Sequence, residues 1–201
     1  MSKRLAILIS GRGSNMESIL AAAKRESWDA EFCLVLSNKP DAAGLQTASA
    51  AGIPTRVLDH REYRGRRPEY DADLASILQA ERVDLVILAG FMRILGANFT
   101  TPFARRALNI HPSLLPLYPG LNTHQRALDA GDSRAGCTIH FVDETLDGGE
   151  IVAQAEVPIL AGDDATALAA RVLVEEHKLY PRVVRDWIHG KLTPTSNPTA
   201  S

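Results

Sequence analysis

Short apolar segments alternate with helical patterns through the first half of the chain. The continuous apolar segments predict buried strands, because helices cover both faces of a parallel sheet. We expect these strands at residues 5–9, 32–36, 56–58 and 83–89. Apolar residues at helical spacing predict helices at residues 14–24, 42–51 and 70–80. This alternation indicates an α/β fold with a doubly wound, mostly parallel Rossmann-like sheet and helices on both faces.

The second half of the chain follows a different pattern. A strand at residues 107–110 enters a proline-dense loop, and a helix is expected at residues 122–130. Residues 135–142 and 151–158 predict two antiparallel strands at the far side of the sheet, joined by a polar loop. A long helical pattern covers residues 165–188, which Pro181 should kink or divide. The chain shows no linker, so we expect one domain over residues 1–192 and a disordered tail over residues 193–201.

Composition and charge argue against several classes of protein. The 201 residues are 45% hydrophobic and 23% charged, which is typical of a globular chain. A net charge of −2 and an aromatic content of 5% give no general attraction to nucleic acid or to anionic membranes. We expect neither a signal peptide nor a membrane span, since no apolar segment is long enough. Cys33 and Cys137 lie in apolar segments, which favours buried, reduced thiols and a cytoplasmic location.

The first candidate for chemistry is the loop SGRGSN at residues 10–15, between the first strand and the first helix. Its glycines let the backbone approach a ligand, and the N-terminus of a helix can bind phosphate. The dinucleotide fingerprint requires a glycine where Met16 stands, so a phosphomonoester fits better than NAD. A tight turn with Ser14 as the helix cap is the alternative interpretation.

The second candidate is the pair Asn109 and His111 at a strand end. His111 precedes a proline, which favours extended backbone, and residues two apart on a strand point to the same face. An amide donor beside an imidazole can stabilise an oxyanion and move a proton. Asp147, in the polar loop, would favour a charged imidazole if it met His111. The alternatives are a structural Asn–His pair and an ordinary turn aspartate, and spacing alone does not bring Asp147 to His111.

Two further segments are candidates for ligand binding. Residues 89–95, AGFMRIL, follow the fourth strand and can form the wall of a pocket, or an ordinary connection between strand and helix. Four arginines lie within residues 61–67, which form either a solvated loop or a surface for an acidic ligand. His124 and His140 lack the spacing of metal ligands, so we expect no metal site.

Together these motifs resemble those of the glycinamide ribonucleotide formyltransferase family, the folate-dependent enzymes of purine synthesis. The resemblance lies in ISGRGSN at 9–15, LAGFMRIL at 88–95, LNIHPSLLPLYPGLNTHQRAL at 108–128, DETLDGGEIVAQAEVPI at 143–159 and EEHKLYP at 175–181. It implies transfer of the formyl group of 10-formyltetrahydrofolate to the amine of glycinamide ribonucleotide, by a monomer or homodimer that acts on small molecules. Hydrolysis of 10-formyltetrahydrofolate and non-catalytic binding of a phosphosugar are the alternatives.

The resemblance also implies roles for individual residues. Asn109, His111 and Asp147 would be catalytic, without a metal or a covalent enzyme intermediate. The nucleotide would be bound at its phosphate by Gly13, Ser14 and Asn15, and at its amine end by Glu176. The folate would be bound by Met92, Arg93, Ile94, Leu95, Asn109 and Asp147, with Arg67 and Arg93 at its tail. Arg12 departs from the family pattern and would either contact the phosphate or face solvent.

Overall fold

The computed structural model describes residues 2–192, so the tail expected at residues 193–201 lies outside the described residues. Within residues 2–192, seven strands form one sheet with the order β3-β2-β1-β4-β5-β6-β7. The strands are β1 (Lys3–Ile9), β2 (Ala30–Ser37), β3 (Thr55–Val57), β4 (Leu85–Leu88), β5 (Ala107–His111), β6 (Arg134–Phe141) and β7 (Ile151–Pro158). Strands β1 to β5 pair in parallel, whereas β6 is antiparallel to both β5 and β7. The expected sheet is therefore confirmed, including its antiparallel C-terminal part.

Helices cover both faces of this sheet. They are α1 (Ser14–Glu26), α2 (Gly44–Ala50), α3 (Arg67–Ala80), α4 (Ala97–Thr100), α5 (Thr123–Asp129) and α6 (Ala165–Ile188). Alternate residues of β1 point to opposite faces: Ile7 belongs to the core under α1 and α6, and Leu8 to the core under α3 and α4. From Leu5 to Ile9 both faces of β1 are fully buried, which explains why this part of the strand is continuously apolar rather than alternating.

Helix α6 runs through Pro181 without interruption, so the alternative of a divided helix is wrong. Proline has no backbone N–H, so the carbonyl of His177 loses its usual helical donor. Pro181 is itself buried, and buried side chains on both sides of it pack α6 against the sheet. This packing holds the helix together where local propensity would end it.

Two short elements were absent from the sequence-based prediction. A 3-10 helix spans His60–Tyr63, in a segment for which a solvated loop was one of the two expectations. Asp59 caps this helix, because its side chain accepts a hydrogen bond of 2.9 Å from the backbone N–H of Arg61. Helix α4 has only four residues, too few for a helical repeat to be visible, but it buries Phe99 completely.

Candidate active site

The candidate site lies at the carboxyl ends of the parallel strands. The chain leaves β1 through the loop at residues 10–13, leaves β4 through the loop at residues 89–96, and leaves β5 after His111. Strand β4 pairs with β1 on the side opposite to β2, so the direction of winding reverses between β1 and β4. Open α/β sheets bind ligands in the crevice at this reversal.

His111 and Asp147 meet in the structure, although no sequence spacing joins them. His111 Nδ1 lies 3.4 Å from Asp147 Oδ2, and His111 Nε2 lies 3.0 Å from the carbonyl oxygen of Tyr118. A carboxylate and a carbonyl oxygen both accept hydrogen bonds. Each ring nitrogen of His111 therefore faces a hydrogen-bond acceptor.

Two features hold Asp147 in place: the conformation of its backbone and a hydrogen bond to its carboxylate. Its backbone has φ 51°, in the left-handed region that aspartate tolerates better than most residues. Its Oδ2 accepts a hydrogen bond of 2.8 Å from the backbone N–H of Gly120. Asp147 thus connects the polar loop between β6 and β7 to the proline-dense loop after β5, and it faces His111 across that connection.

Asn109 contacts a histidine that the sequence analysis set aside. His140 lies opposite Asn109 in the antiparallel register of β5 and β6. His140 Nδ1 donates to the carbonyl oxygen of Phe141 at 2.9 Å, so its Nε2 remains as an acceptor for Asn109 Nδ2 at 3.1 Å. Burial lowers the pKa of His140 and so favours this neutral form. His140 therefore fixes the orientation of the Asn109 amide, a role that a search for metal-ligand spacing cannot detect.

The loop before α1 leaves the N-terminus of the helix without a side-chain cap. Gly13 has φ 76° and is the N-cap residue of α1. No side chain accepts a hydrogen bond at this helix end. The interpretation of Ser14 as the cap is wrong, because Ser14 is already the first helical residue. The first N–H groups of α1 consequently have no side-chain acceptor and are available to an anion. Arg12 is exposed and has no acidic partner within residues 2–192.

Asn15 and Glu176 are in direct contact, although 161 positions separate them. Asn15 Nδ2 donates to Glu176 Oε2 at 2.7 Å, and both side chains are buried. Burial raises the pKa of Glu176, while the hydrogen bond from Asn15 and the charge of His111 oppose this shift. Asn15 Oδ1 is buried without a partner. The two residues assigned to opposite ends of the nucleotide therefore lie side by side.

The loop at residues 89–96 presents two apolar side chains to solvent. Met92 is 68% exposed and Ile94 is 49% exposed. Leu95 is buried in the core, so its side chain does not share this surface. The backbone N–H of Met92 donates to Ser10 Oγ at 2.8 Å. The loop is thereby anchored to the end of β1, beside the loop at residues 10–13.

Arg67 and Arg93 line one cavity of about 370 Å³ at the edge of the site. The guanidinium of Arg93 lies 5.1 Å from the centre of the Tyr70 ring. Arg67 Nε lies 3.6 Å from Asp71 Oδ2, which also accepts a hydrogen bond from the backbone N–H of Gly96. The structure thus brings together the two arginines that the sequence analysis assigned to one ligand tail.

Within residues 2–192, no three His, Cys, Asp or Glu side chains are grouped so that they could hold a metal ion. In the same part of the chain, no helix has the length and apolar character needed to cross a membrane.

The fold and the sequence are similar to those of known proteins. Residues 3–184 match the family model described as Formyl transferase. Phosphoribosylglycinamide formyltransferase of Haemophilus influenzae is 45% identical over 97% of this chain and 92% of its own length. Trifunctional purine biosynthetic protein adenosine-3 of Drosophila melanogaster is 48% identical over 94% of this chain, which spans only 14% of that longer relative. The structure of glycinamide ribonucleotide transformylase 1 from Symbiobacterium toebii superposes with a TM-score of 0.90 at 44% identity, covering 94% of this chain and 88% of that one.

Proposed function

The chain belongs to the formyl transferase family, and we propose that it is the enzyme that formylates glycinamide ribonucleotide in de novo purine biosynthesis. It transfers the formyl group of 10-formyltetrahydrofolate to the amine of N1-(5-phospho-β-D-ribosyl)glycinamide, which gives the N-formyl product and tetrahydrofolate. The observation that carries this proposal is the contact of His111 with Asp147 at the end of β5, beside Asn109.

Asn109 and His111 stabilise the charge that develops during transfer. When the amine adds to the formyl carbon, the carbonyl oxygen gains negative charge. A charged His111 and the amide N–H of Asn109 are donors suited to that oxygen. Both side chains are fixed before the substrates arrive, His111 by Asp147 and by the Tyr118 carbonyl, and Asn109 by His140. Such prior orientation is what makes hydrogen-bond donors effective in a transition state.

His111 is also the proton carrier in this proposal. The attacking amine must lose a proton, and N10 of the folate must gain one as its bond to the formyl carbon breaks. His111 moves this proton directly or through water, and the carboxylate of Asp147 orients the imidazole while it does so. No bond forms between the enzyme and the formyl group, and the balance of atoms requires no metal.

Binding of the two substrates is divided between the two neighbouring loops. The phosphate of the nucleotide binds at Gly13, Ser14 and Asn15, and Glu176 accepts a hydrogen bond from its amine end. The folate lies along Met92 to Leu95 and against Asn109 and Asp147, with its tail at Arg67 and Arg93. The hydrogen bond from the backbone N–H of Met92 to Ser10 Oγ supports this division, because it joins the two loops and transfer requires neighbouring substrates.

We further propose that residues 1–192 form one domain that works in the cytoplasm on small molecules, as a monomer or a homodimer. One continuous sheet, to which all seven strands in residues 2–192 contribute, supports the single domain. Cys33 and Cys137 are buried free thiols, which agrees with a reducing compartment.

An assay of the purified protein tests the proposed function. Release of tetrahydrofolate from 10-formyltetrahydrofolate should require glycinamide ribonucleotide. Release of formate without the nucleotide would instead support a hydrolase, and binding of the nucleotide without turnover would support a phosphosugar-binding protein.

Arg93→Ala is expected to weaken folate binding and to leave nucleotide affinity nearly unchanged. A charge-assisted hydrogen bond to a tail carboxylate is lost, so we expect the Kd for tetrahydrofolate to rise about tenfold or more. Calorimetry with each ligand measures this. Arg106→Ala is the control, because Arg106 also packs over an aromatic ring, Phe103, but does not line the cavity. Loss of nucleotide affinity alone would show that the two binding sites are reversed.

Glu176→Gln is expected to stabilise the fold while weakening nucleotide binding. The folded-state pKa of Glu176 is raised above 4.5, so the native protein loses stability as the pH rises from about 4.5 through that higher value. Glutamine removes this loss, and its amide can donate to the unpartnered Asn15 Oδ1. The difference in melting temperature, variant minus wild type, should therefore be larger at pH 8 than at pH 5. Glu175→Gln, on the same helix but paired with Lys178, is the control, and an equal difference at both pH values would contradict the account.

A further inference from the structure

The hydroxyl of Ser10 connects the ends of three neighbouring strands. Ser10 Oγ accepts a hydrogen bond of 2.8 Å from the backbone N–H of Met92 and donates one of 2.6 Å to Asn38 Oδ1. Ser10 follows β1, Asn38 follows β2, and Met92 lies in the loop after β4. The side chains of Ser10 and Asn38 are both buried. This hydroxyl therefore joins the two loops to which the proposed function assigns the two substrates.

The middle of the loop at residues 89–96 depends on this hydroxyl for its position. Backbone N–H groups of Ala89 and Gly96 fix the two ends of the loop through hydrogen bonds of 2.9 Å and 2.8 Å. Between these ends, in the part of the chain that the structure describes, the bond from Met92 to Ser10 is the only hydrogen bond to another segment. Loss of the hydroxyl would therefore release the middle of the loop and leave its ends in place.

Asn38 is in turn held by the segment that follows β3. Its carbonyl oxygen accepts hydrogen bonds from His60 Nδ1 at 2.7 Å and from the backbone N–H of His60 at 3.3 Å. The hydrogen bond from Ser10 thus ends on a residue that is itself fixed. The side chains of Ser10 and Asn38, called here the Ser10–Asn38 bridge, consequently tie the loop after β4 to the opposite side of β1.

We propose that Ser10 and Asn38 are positioning residues, which set the distance between the bound nucleotide and the bound folate. The inference rests on the proposed function, because a reaction between two bound molecules needs that distance to be fixed. The reacting atoms must approach to about 3–3.5 Å, and a displacement of about 1 Å can lower the rate about a hundredfold. Neither side chain is assigned a contact with a substrate. Loss of the Ser10–Asn38 bridge should therefore slow transfer more than it weakens binding.

Ser37 is a serine at a neighbouring strand end whose role is local. It is the last residue of β2 and is fully buried. Its Oγ donates to the carbonyl oxygen of Lys39 at 2.8 Å and accepts from the backbone N–H of Lys39 at 3.0 Å. Both of its hydrogen bonds thus stay within one turn, whereas those of Ser10 reach two other strand ends. Ser37→Ala is therefore a matched control for Ser10→Ala, since each variant loses two hydrogen bonds at a buried hydroxyl.

Ser10→Ala is expected to lower the single-turnover rate of formyl transfer at least about tenfold, while the Kd for each substrate stays within about threefold of wild type. Rapid-quench kinetics at saturating substrates measures the rate, and calorimetry with glycinamide ribonucleotide or with tetrahydrofolate measures each Kd. The Met92 amide, which loses its acceptor, should exchange with deuterium at least about fivefold faster by NMR. Ser37→Ala should lower the melting temperature and keep the transfer rate and the Met92 exchange of the wild type.

A second variant tests whether the two residues act as one unit. Asn38→Ala removes the far end of the Ser10–Asn38 bridge, and Ser10 can still accept from Met92. We expect this variant to slow transfer at least about threefold with both Kd values retained, whether or not Ser10→Ala folds. The double variant should be no slower than Ser10→Ala, within about twofold, because the bridge is already broken in the single variant.

The outcomes separate this inference from the proposed function. A transfer rate in Ser10→Ala within about twofold of wild type would overturn the inference, as would equal losses in Ser10→Ala and Ser37→Ala. A Kd that rises as much as the rate falls would make Ser10 a binding residue and would also overturn it. Absence of formyl transfer by the wild-type protein would overturn the proposed function and this inference with it, and the activity assay shows that result before any variant is made.

Discussion

Asp147→Asn is expected to lower kcat by at least about 10²–10³, the usual cost of removing a well-placed donor to an oxyanion. Asparagine keeps the size of the side chain, and its oxygen can still accept from the backbone N–H of Gly120. What it loses is the negative charge that lies 3.4 Å from His111 Nδ1. The carboxylate that faces His111 and complements a protonated imidazole would be lost, so both the stabilisation of the oxyanion and the supply of a proton would suffer. Substrate affinities should change less than kcat.

A matched control for this variant lies in the same loop. Asp143 accepts hydrogen bonds from Thr145 and does not contact His111. Asp143→Asn removes one charge from the loop, as Asp147→Asn does, and is expected to keep kcat within a few-fold of wild type. Steady-state kinetics with both substrates measures the two variants. Near-normal turnover in Asp147→Asn would leave Asp147 as an ordinary turn residue.

Gly13→Val is expected to raise the KM for glycinamide ribonucleotide far more than the KM for the folate. The side chain would project from the backbone that approaches the phosphate, and its Cβ would also lie 3.2 Å from Met16 Cε. Gly13 has φ 76°, a conformation that a β-branched residue adopts only with strain. The valine therefore both blocks the phosphate site and disturbs the helix cap, and we expect nucleotide binding to be lost by about two orders of magnitude or more.

Gly52→Val is a control that introduces backbone strain without blocking the proposed phosphate site. Gly52 also has φ 76°, and a Cβ there would meet nothing within 4 Å. It follows α2, away from the loop at residues 10–15, so its variant has the same backbone strain with no phosphate nearby. We expect Gly52→Val to lower the melting temperature while both KM values stay close to wild type. If Gly13→Val raised the two KM values equally in a folded protein, Gly13 would have no specific role in phosphate binding.

The sheet could be predicted from the sequence, because strands buried on both faces have continuous apolar sequences. All the residues from Leu5 to Ile9 are fully buried, so their continuous apolarity predicts a central parallel strand. Helix α4 could not be predicted from its sequence, because four residues are too few to show a helical period. The continuity of α6 through Pro181 depends on packing against the sheet, which local propensity does not describe.

The residues of the candidate site that lie on a strand could be predicted from the sequence. The contacts that depend on loop conformation could not. The pairing of Asn109 with His111 could be predicted because both lie at a strand end, two residues apart, and a proline follows His111. The contact of Asp147 with His111 depends on a left-handed turn and on a hydrogen bond to Gly120, 27 positions away, and no spacing rule encodes either. His140 could have been found from the register of β5 against β6, but the long connection between these strands leaves that register open in the sequence.

The fate of the formyl carbon tests the central claim most directly. Purified protein is given 10-formyltetrahydrofolate labelled with ¹³C in the formyl group, with and without glycinamide ribonucleotide, and the label is followed by NMR. We expect the label to appear in the formamide of the nucleotide product, only when the nucleotide is present, and at a rate that Asp147→Asn lowers by at least about 10²-fold. Label in free formate at a rate independent of the nucleotide, or no transfer at all by the folded protein, would contradict the account.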